Sequence, residues 1–336
     1  MRTRHLIAFF LLIPWIGFAQ APKEQTGSCA GCFSEPQSTL LFSSLIGAPN
    51  FGEFTLVTPN GNFTVPQLPG STGNNISPAW AISPLGDRVA GGLRFALNAD
   101  LVKCDPTKKG WCDLQPRPVY KVVLGVYSVR EKTWKQYGDF SLLGPPAFSP
   151  DGKRIAFDEE RGCTVAACDE DLMILDLETG QMKPVPEARS LNESWEPSWS
   201  PDGRFLAVTS NDKSGWGQIV VIDLATGAKK TIAEGTNPSW SPKGDWIAYA
   251  STVRCMIIHP DGTGARSAVD KQSKWLKYTL DAPILWSPDE RRLLLNQRKI
   301  FGSDLRVIMV DLATDHVIMK SKNGEVVTGW VPYPGK

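Results

Sequence analysis

An all-β fold assembled from a repeated strand unit is predicted by three observations. The chain holds 30 glycines and 26 prolines in 336 residues, with almost no stretch of helical period, the composition of short strands joined by tight turns. A Ser-Pro-Asp-Gly element flanked by apolar segments recurs along it. The two chain ends each carry part of one unit, and neither completes it alone.

In chain order, residues 1–19 come first and read as a secretory signal. Arg2 and Arg4 precede an apolar run from Leu6 to Phe18, then small residues at Ala19 and Ala21. A membrane span needs about 20 apolar residues; this run has thirteen and is interrupted by Pro14. Cleavage is expected after Ala19, with Ala21 as second choice, placing the mature chain in the periplasm or outside the cell. Residues 20–38 follow as a tail, and residues 39–336 as the folded domain. Of 36 basic and 35 acidic residues, Arg2 and Arg4 leave with the signal, so the mature chain carries a formal charge of −1. That balance offers no field for nucleic acid, and no later apolar run is long enough to predict a membrane span.

The clearest repeat is Ala147-Phe148-Ser149-Pro150-Asp151-Gly152, followed by Ile155-Ala156-Phe157. It recurs at Trp199-Ser200-Pro201-Asp202-Gly203, at Trp240-Ser241-Pro242-Lys243-Gly244 and at Trp286-Ser287-Pro288-Asp289, with a weaker copy at Ile82-Ser83-Pro84-Leu85-Gly86-Asp87. The prolines are 66, 51, 41 and 46 residues apart, the length of a four-stranded blade plus insertions. Proline presets the first corner of a turn, aspartate bonds the backbone ahead of it, and glycine takes the left-handed conformation that closes it. A second turn recurs as Asp176-Leu177-Glu178-Thr179-Gly180, Asp223-Leu224-Ala225-Thr226-Gly227 and Asp311-Leu312-Ala313-Thr314-Asp315. Each unit therefore reads as strand a, the first turn, strand b, a variable loop, strand c, the second turn and strand d.

Trp330-Val331-Pro332 stands in the place of a sixth Trp-Ser-Pro, 44 residues after Pro288, with no strand b behind it. Conversely, Leu40 to Ser44 reads as a strand b with no strand a ahead, and 54–57 and 63–65 supply strands c and d. The prediction is a six-bladed β-propeller of four-stranded antiparallel blades, closed by pairing the amino-terminal and carboxyl-terminal strands in one blade. Closure of this kind hides edges open to aggregation.

The recurring motif resembles the PD40 (WD40-like) repeat of TolB-like propellers, over nearly all of the chain after the signal. TolB itself carries a separate α/β domain ahead of its propeller; the short tail here leaves no room for one, so the Tol-Pal role is not carried over. Propellers of similar repeat also cap prolyl oligopeptidase-like hydrolases, and no hydrolase domain is expected after this one.

Seven cysteines in an exported chain are read as disulfides first. Cys104 with Cys112 and Cys163 with Cys168 bracket short loops, and local bridges are expected there. Cys29 and Cys32 form a C-x-x-C read as a tail disulfide, and Cys255 is left over. Haem attachment would need a histidine where Phe33 stands.

In such a blade the stereotyped turns share one face, and the b-to-c and d-to-a loops share the other. The long segments 94–118, 158–171, 210–217 and 296–303 all fall on that second face, and loops on the rim of a rigid scaffold are where binding is usually built. Trp111, Arg161, Trp216, Arg298 and Phe301 are the binding residues expected there. Trp199, Trp240, Trp286 and Trp330 are instead read as wedges between blades, and Asp151, Asp202 and Asp289 as turn formers. The acidic group Glu159, Glu160, Asp169 and Asp171 is read as a solvated loop.

No G-x-S-x-G, H-E-x-x-H or G-x-x-x-x-G-K motif occurs, and His259 and His316 adjoin c-to-d turns, so neither a metal nor a cofactor is expected. The function expected is a monomeric exported binding module that engages a protein or cell-envelope component. The alternative is a carboxylate-based hydrolase or lyase acting on a polysaccharide or peptide near the central channel.

Overall fold

The computed structural model describes residues 25–27, 38–44, 54–71, 80–96, 120–140, 142–161, 169–252, 254–269, 278–299, 305–321 and 325–333. After a three-residue strand β1 (Gln25–Gly27), the first blade supplies β2 (Ser38–Ser44), β3 (Phe54–Thr58) and β4 (Gly61–Val65). The second is β5 (Trp80–Ile82), β6 (Arg88–Ala96), β7 (Tyr120–Ser128) and β8 (Thr133–Phe140). The third has a split inner strand, β9 (Leu142–Leu143) and β10 (Ala147–Phe148), then β11 (Arg154–Arg161), β12 (Asp169–Asp176) and β13 (Met182–Pro184). The fourth is β14 (Asn192–Trp199), β15 (Phe205–Asn211), β16 (Gly217–Asp223) and β17 (Lys229–Glu234). The fifth is β18 (Thr236–Trp240), β19 (Ile247–Ser251), β20 (Arg254–Ile258) and β21 (Arg266–Ser267). The sixth is β22 (Tyr278–Trp286), β23 (Arg292–Lys299), β24 (Leu305–Asp311) and β25 (His316–Ser321), and β26 (Glu325–Pro332) returns to the first.

These strands form six antiparallel blades, each with four in sequence from inside to outside. The inner strands β5, β10, β14, β18, β22 and β26 touch one another in succession, and β26 meets β5 again, so the blades form a ring. Closure is as the termini predict: β26 pairs with β2, with Leu40 opposite Trp330 and Thr39 opposite Val331. On the outside of the sixth blade β1 adds a parallel fifth strand along β25, Gln25 opposite Met319.

The repeated turn is built from its own residues. Ser149 Oγ donates to Asp151 at 2.5 Å and accepts from the Arg154 amide at 2.9 Å, while the Gly152 amide donates to the Ser149 carbonyl. Ser200 with Asp202 and Ser287 with Asp289 repeat the arrangement. Gly152 and Gly203 sit at φ +67° and +70°, the left-handed region that glycine enters at no steric cost. In the weak copy Leu85 holds the aspartate's place, and Asp87, two positions on, accepts a hydrogen bond from the Ser83 hydroxyl at 2.7 Å. In the third copy Lys243 holds that place, and Glu290 of the next blade reaches across to accept the Lys243 amide at 2.5 Å. Glu290 itself occupies the fourth copy's glycine position, at φ +62°.

The tryptophans are wedges. Trp199, Trp286 and Trp330 are buried, and Nε1 of Trp199 and of Trp286 donates to an inner-strand carbonyl of the preceding blade, Ala147 at 3.0 Å and Ser239 at 2.9 Å. Two features depart from the sequence reading. Strands b run further toward the loop face than expected, with β11 reaching Arg161 and β23 reaching Lys299, so the irregular segments are shorter. The inner strands are bulged, between Trp195 and Ser198, Thr236 and Ser239, and Asp281 and Ile284, each across a proline that cannot donate to the ladder.

Candidate functional site

The loop face is where strands b end and strands c begin. Arg161 stands opposite Asp169 there, Asn211 opposite Gly217, Ser251 opposite Arg254 and Arg298 opposite Leu305. Of the expected binding residues, Trp216 is the best defined. It ends the turn that joins β15 to β16, and Asp212 holds that turn by accepting the Ser214 and Trp216 amides at 2.7 and 2.9 Å. The Asp212 amide donates to the Trp216 carbonyl, and Gly215 takes φ +80°. The indole is 72% exposed on this fixed support; Leu85, at 62% on the opposite face, is the other exposed large apolar side chain among the described residues. Arg298 is an exposed strand residue near the end of β23, not a loop residue. Arg161 closes β11, and its side chain lies outside the described residues, as do Trp111, Phe301 and Cys29, Cys32, Cys104, Cys112, Cys163 and Cys168. Cys255 is free and fully buried, and burial pushes its thiol pKa far up.

The acidic group is not a solvated loop. Because β11 continues past Asp158, Glu159 falls on a ladder position and is 1% exposed, and Asp171 pairs with Arg189 through two bonds of 2.9 and 3.1 Å. Nearer the axis, the bulges bring polar groups between blades. Glu196, at φ +56°, accepts from Thr209 Oγ1 and from the Asn237 amide of the next inner strand, each at 2.8 Å. Asn296, at the equivalent position to Thr209, donates to Pro283 and Val327 carbonyls and accepts the Val327 amide at 2.9 Å. Sequence reasoning missed these clips; the available signal was the proline two residues before tryptophan in Pro197-Ser198-Trp199 and Pro238-Ser239-Trp240.

At the turn face the aspartates are committed to structure. Asp176 accepts the Glu178 and Thr179 amides and the Thr179 hydroxyl. Asp223 accepts the same two turn amides and a 2.6 Å bond from Arg204, whose guanidinium holds its carboxyl far below the usual range. The Ser149 and Ser200 hydroxyls likewise lower Asp151 and Asp202. His259 stacks on Trp246, ring centroids 3.8 Å apart, with Nδ1 at 2.8 Å from the Asp245 carbonyl oxygen. Among the described residues no group of three or more His, Cys, Asp or Glu is placed to hold a metal, and no helix is long and apolar enough to cross a membrane.

Residues 129–255, from the β7–β8 turn into β20, match the family model of the PD40 TolB beta propeller domain. Comparison with curated proteins by sequence finds no match. Among solved structures the chain is similar to TolB from Acinetobacter baumannii at 17% identity and TM-score 0.62, over 88% of this chain and 66% of that one. It is similar to a putative TolB from Agrobacterium tumefaciens at 14% identity and TM-score 0.57, covering 89% and 99% respectively. A chain of a nidogen/laminin complex matches at 10% identity and TM-score 0.58, covering 88% and 97%. At these identities the likeness is one of fold. The chain thus has a TolB-like six-bladed β-propeller fold, carrying PD40-type repeats.

Proposed function

We propose that the chain is an exported binding module whose loop face engages a protein or cell-envelope component, with Trp216 as an anchor and Arg298 on the same face. The observation that carries this reading is the 72% exposed indole on a turn fixed by Asp212. A turn already fixed loses little backbone entropy on binding, and tryptophan and arginine are enriched among residues that dominate interface energies. The amino-terminal signal pattern supports export. The protein, immobilised and exposed to envelope extract, is expected to retain a specific component that Trp216→Ala and Arg298→Glu each lose and that Leu85→Ala, on the opposite face, keeps. Loss by Leu85→Ala alone, or equal retention by all three variants, would overturn the assignment of the face.

A further inference from the structure

Between the turn-face ends of successive blades the repeat leaves a cleft, and two of these clefts are the same place in consecutive blade pairs. One, of 540 Å³, lies between the third and fourth blades and is lined by Arg154, Ile174, Asp176, Lys183, Val185 and Leu224 among others. The other, of 570 Å³, lies between the second and third blades, where Arg88, Val126, Ser128, Lys135, Tyr137 and Leu177 hold the corresponding positions. Two differences stand out. The carboxylate-bearing Asp176, which stands across the ladder from Arg154 in the first cleft, is replaced in the second by the neutral Ser128 across from Arg88. The apolar Val185 is replaced by Tyr137, and the indole of Trp134 joins the wall.

The second cleft therefore keeps the repeat's cations and lacks the repeat's anion. Arg88 donates to the Gly152 carbonyl at 3.2 Å and has Asp87 at 3.9 Å, itself half exposed and bonded to Ser83. Lys135 and Lys153 are exposed beside it, the Lys135 amine 5.0 Å from the Tyr137 ring centroid. The aromatic wall is fixed: Trp134 donates to the Pro66 carbonyl at 3.1 Å and packs edge-on to Trp80 and tilted against Tyr127. Glu131 and Glu178 stand exposed at the mouth.

From this geometry we infer that the cleft between the second and third blades binds a carboxylated saccharide. The sugar carboxylate takes the place that Asp176 fills in the sister cleft, against Arg88, Lys135 and Lys153. A ring face lies on the rigid indole, since apolar C–H faces pack on aromatic surfaces. Glu131 and Glu178 accept ring hydroxyl protons at the mouth. An apolar peptide would cover the exposed Lys135, Lys153, Glu131 and Glu178 without pairing them, which is costly; a polyhydroxylated anion pairs with both signs. The volume is in the range of small-ligand sites.

The test uses the full mature chain and calorimetric titration with a diuronic acid, the neutral disaccharide of the same stereochemistry, and inorganic phosphate. The diuronic acid is expected to bind at least tenfold more tightly than either control. Lys153→Glu and Lys135→Glu, both exposed and removed from the core, are each expected to weaken it tenfold or more, and Lys183→Glu in the sister cleft to leave it unchanged. Absence of binding at millimolar ligand, equal binding of the neutral sugar or phosphate, or indifference to both cleft substitutions would overturn the inference. None of these outcomes touches the loop-face reading, which is probed by Trp216 and Arg298.

Discussion

Circular closure makes the carboxyl-terminal tryptophan a residue on which the whole ring depends, and Trp330→Ala measures that dependence. Trp330 is 7% exposed and sits in one cluster with Leu40 and Val57 of the amino-terminal strands, Leu294, Val307 and Met309 of the sixth blade, and Val327. Truncation of a buried tryptophan to alanine costs about 3–5 kcal/mol through lost transfer energy and the cavity left behind. Nε1 of Trp330 has no hydrogen-bond acceptor among the described residues, so its removal orphans no carbonyl there and the cost belongs at the lower end of that range. At roughly 2–4 °C per kcal/mol for a chain of this size, the melting temperature should fall by about 6–12 °C. Scanning calorimetry of the mature chain at neutral pH provides the measurement, with the exposed Trp216→Ala as the control, expected within about 0.5 kcal/mol of wild type. Removal of residues 325–336 should do more, because β2 then presents an unpaired edge and the protein should aggregate. If Trp330→Ala melts no lower than Trp216→Ala, the terminal segment does not close the ring and the face assignments fail with it.

Three further outcomes follow from the turns and the core. Restoring the repeat by Lys243→Asp together with Glu290→Gly should stabilise the chain by about 1 kcal/mol in urea unfolding: glycine relieves the φ +62° of Glu290, and aspartate offers the Ser241 hydroxyl and the Asp245 amide the acceptor that Asp151 and Asp202 provide in their copies, outweighing the bond Glu290 lends to the Lys243 amide. Acid should destabilise the fold. Asp223, lowered chiefly by Arg204, and Asp202 and Asp151, lowered chiefly by their serine hydroxyls, contribute stability above the unfolded aspartate pKa of about 3.9 and lose it as pH falls through their depressed folded values. Melting temperature should therefore drop below about pH 4, and Asp223→Asn should flatten that dependence; a steeper profile in the variant would contradict the sign. Cys255, fully buried with its thiol pKa raised, should resist alkylation in the native state and react on unfolding, as peptide mapping by mass spectrometry would report; native labelling at the rate of a free thiol would show the fifth blade to be open.

The fold was legible because the repeat is written in residues whose local chemistry is strong. Proline fixes the corner in all five copies, and in three of them the serine-aspartate pair closes the turn without help from elsewhere, so the register of the repeat stands in the sequence itself. The shared blade was legible for the same reason: Trp330 and Leu40 were each half of a known unit. The bulged inner strands were not, because their bonds run between blades. The Asn237 amide donates to Glu196 and Thr209, 41 and 28 residues away, so Pro238 beside it marks a break in the ladder without naming the partners. Strand length failed on the same ground. Asp158 and Glu159 look like loop residues by type, yet the ladder with β12 carries the strand through them and buries Glu159.

Departures from the repeat separate into two kinds, and the separation is a guide to function. Where Leu85 displaces the turn aspartate, Asp87 accepts the serine hydroxyl from two residues on; where Lys243 displaces it, Glu290 of the next blade braces the same turn through a different bond, to the Lys243 amide. These changes are compensated, so the turn's structural requirement is still being met and no other role need be invoked. Ser128 is different. It keeps the turn, because its hydroxyl accepts the Glu131 amide at 3.1 Å as an aspartate would, but it carries no charge across the ladder from Arg88, whose carboxylate neighbour is instead Asp87, 3.9 Å away on its own strand and bonded to Ser83. A uniform repeat presents the same chemistry at every blade junction and so distinguishes none of them. Thr58 and His259 also replace the turn aspartate, but threonine and tryptophan, Thr39 and Trp246, stand where the repeat has its arginine; the junction between the second and third blades is set apart because Ser128 satisfies the backbone and still faces an arginine, with two aromatic rings placed next to it. A substitution that fold stability does not demand, at the edge of a cleft whose remaining charges are exposed, is where selection for a ligand would leave its mark in a molecule otherwise built by repetition.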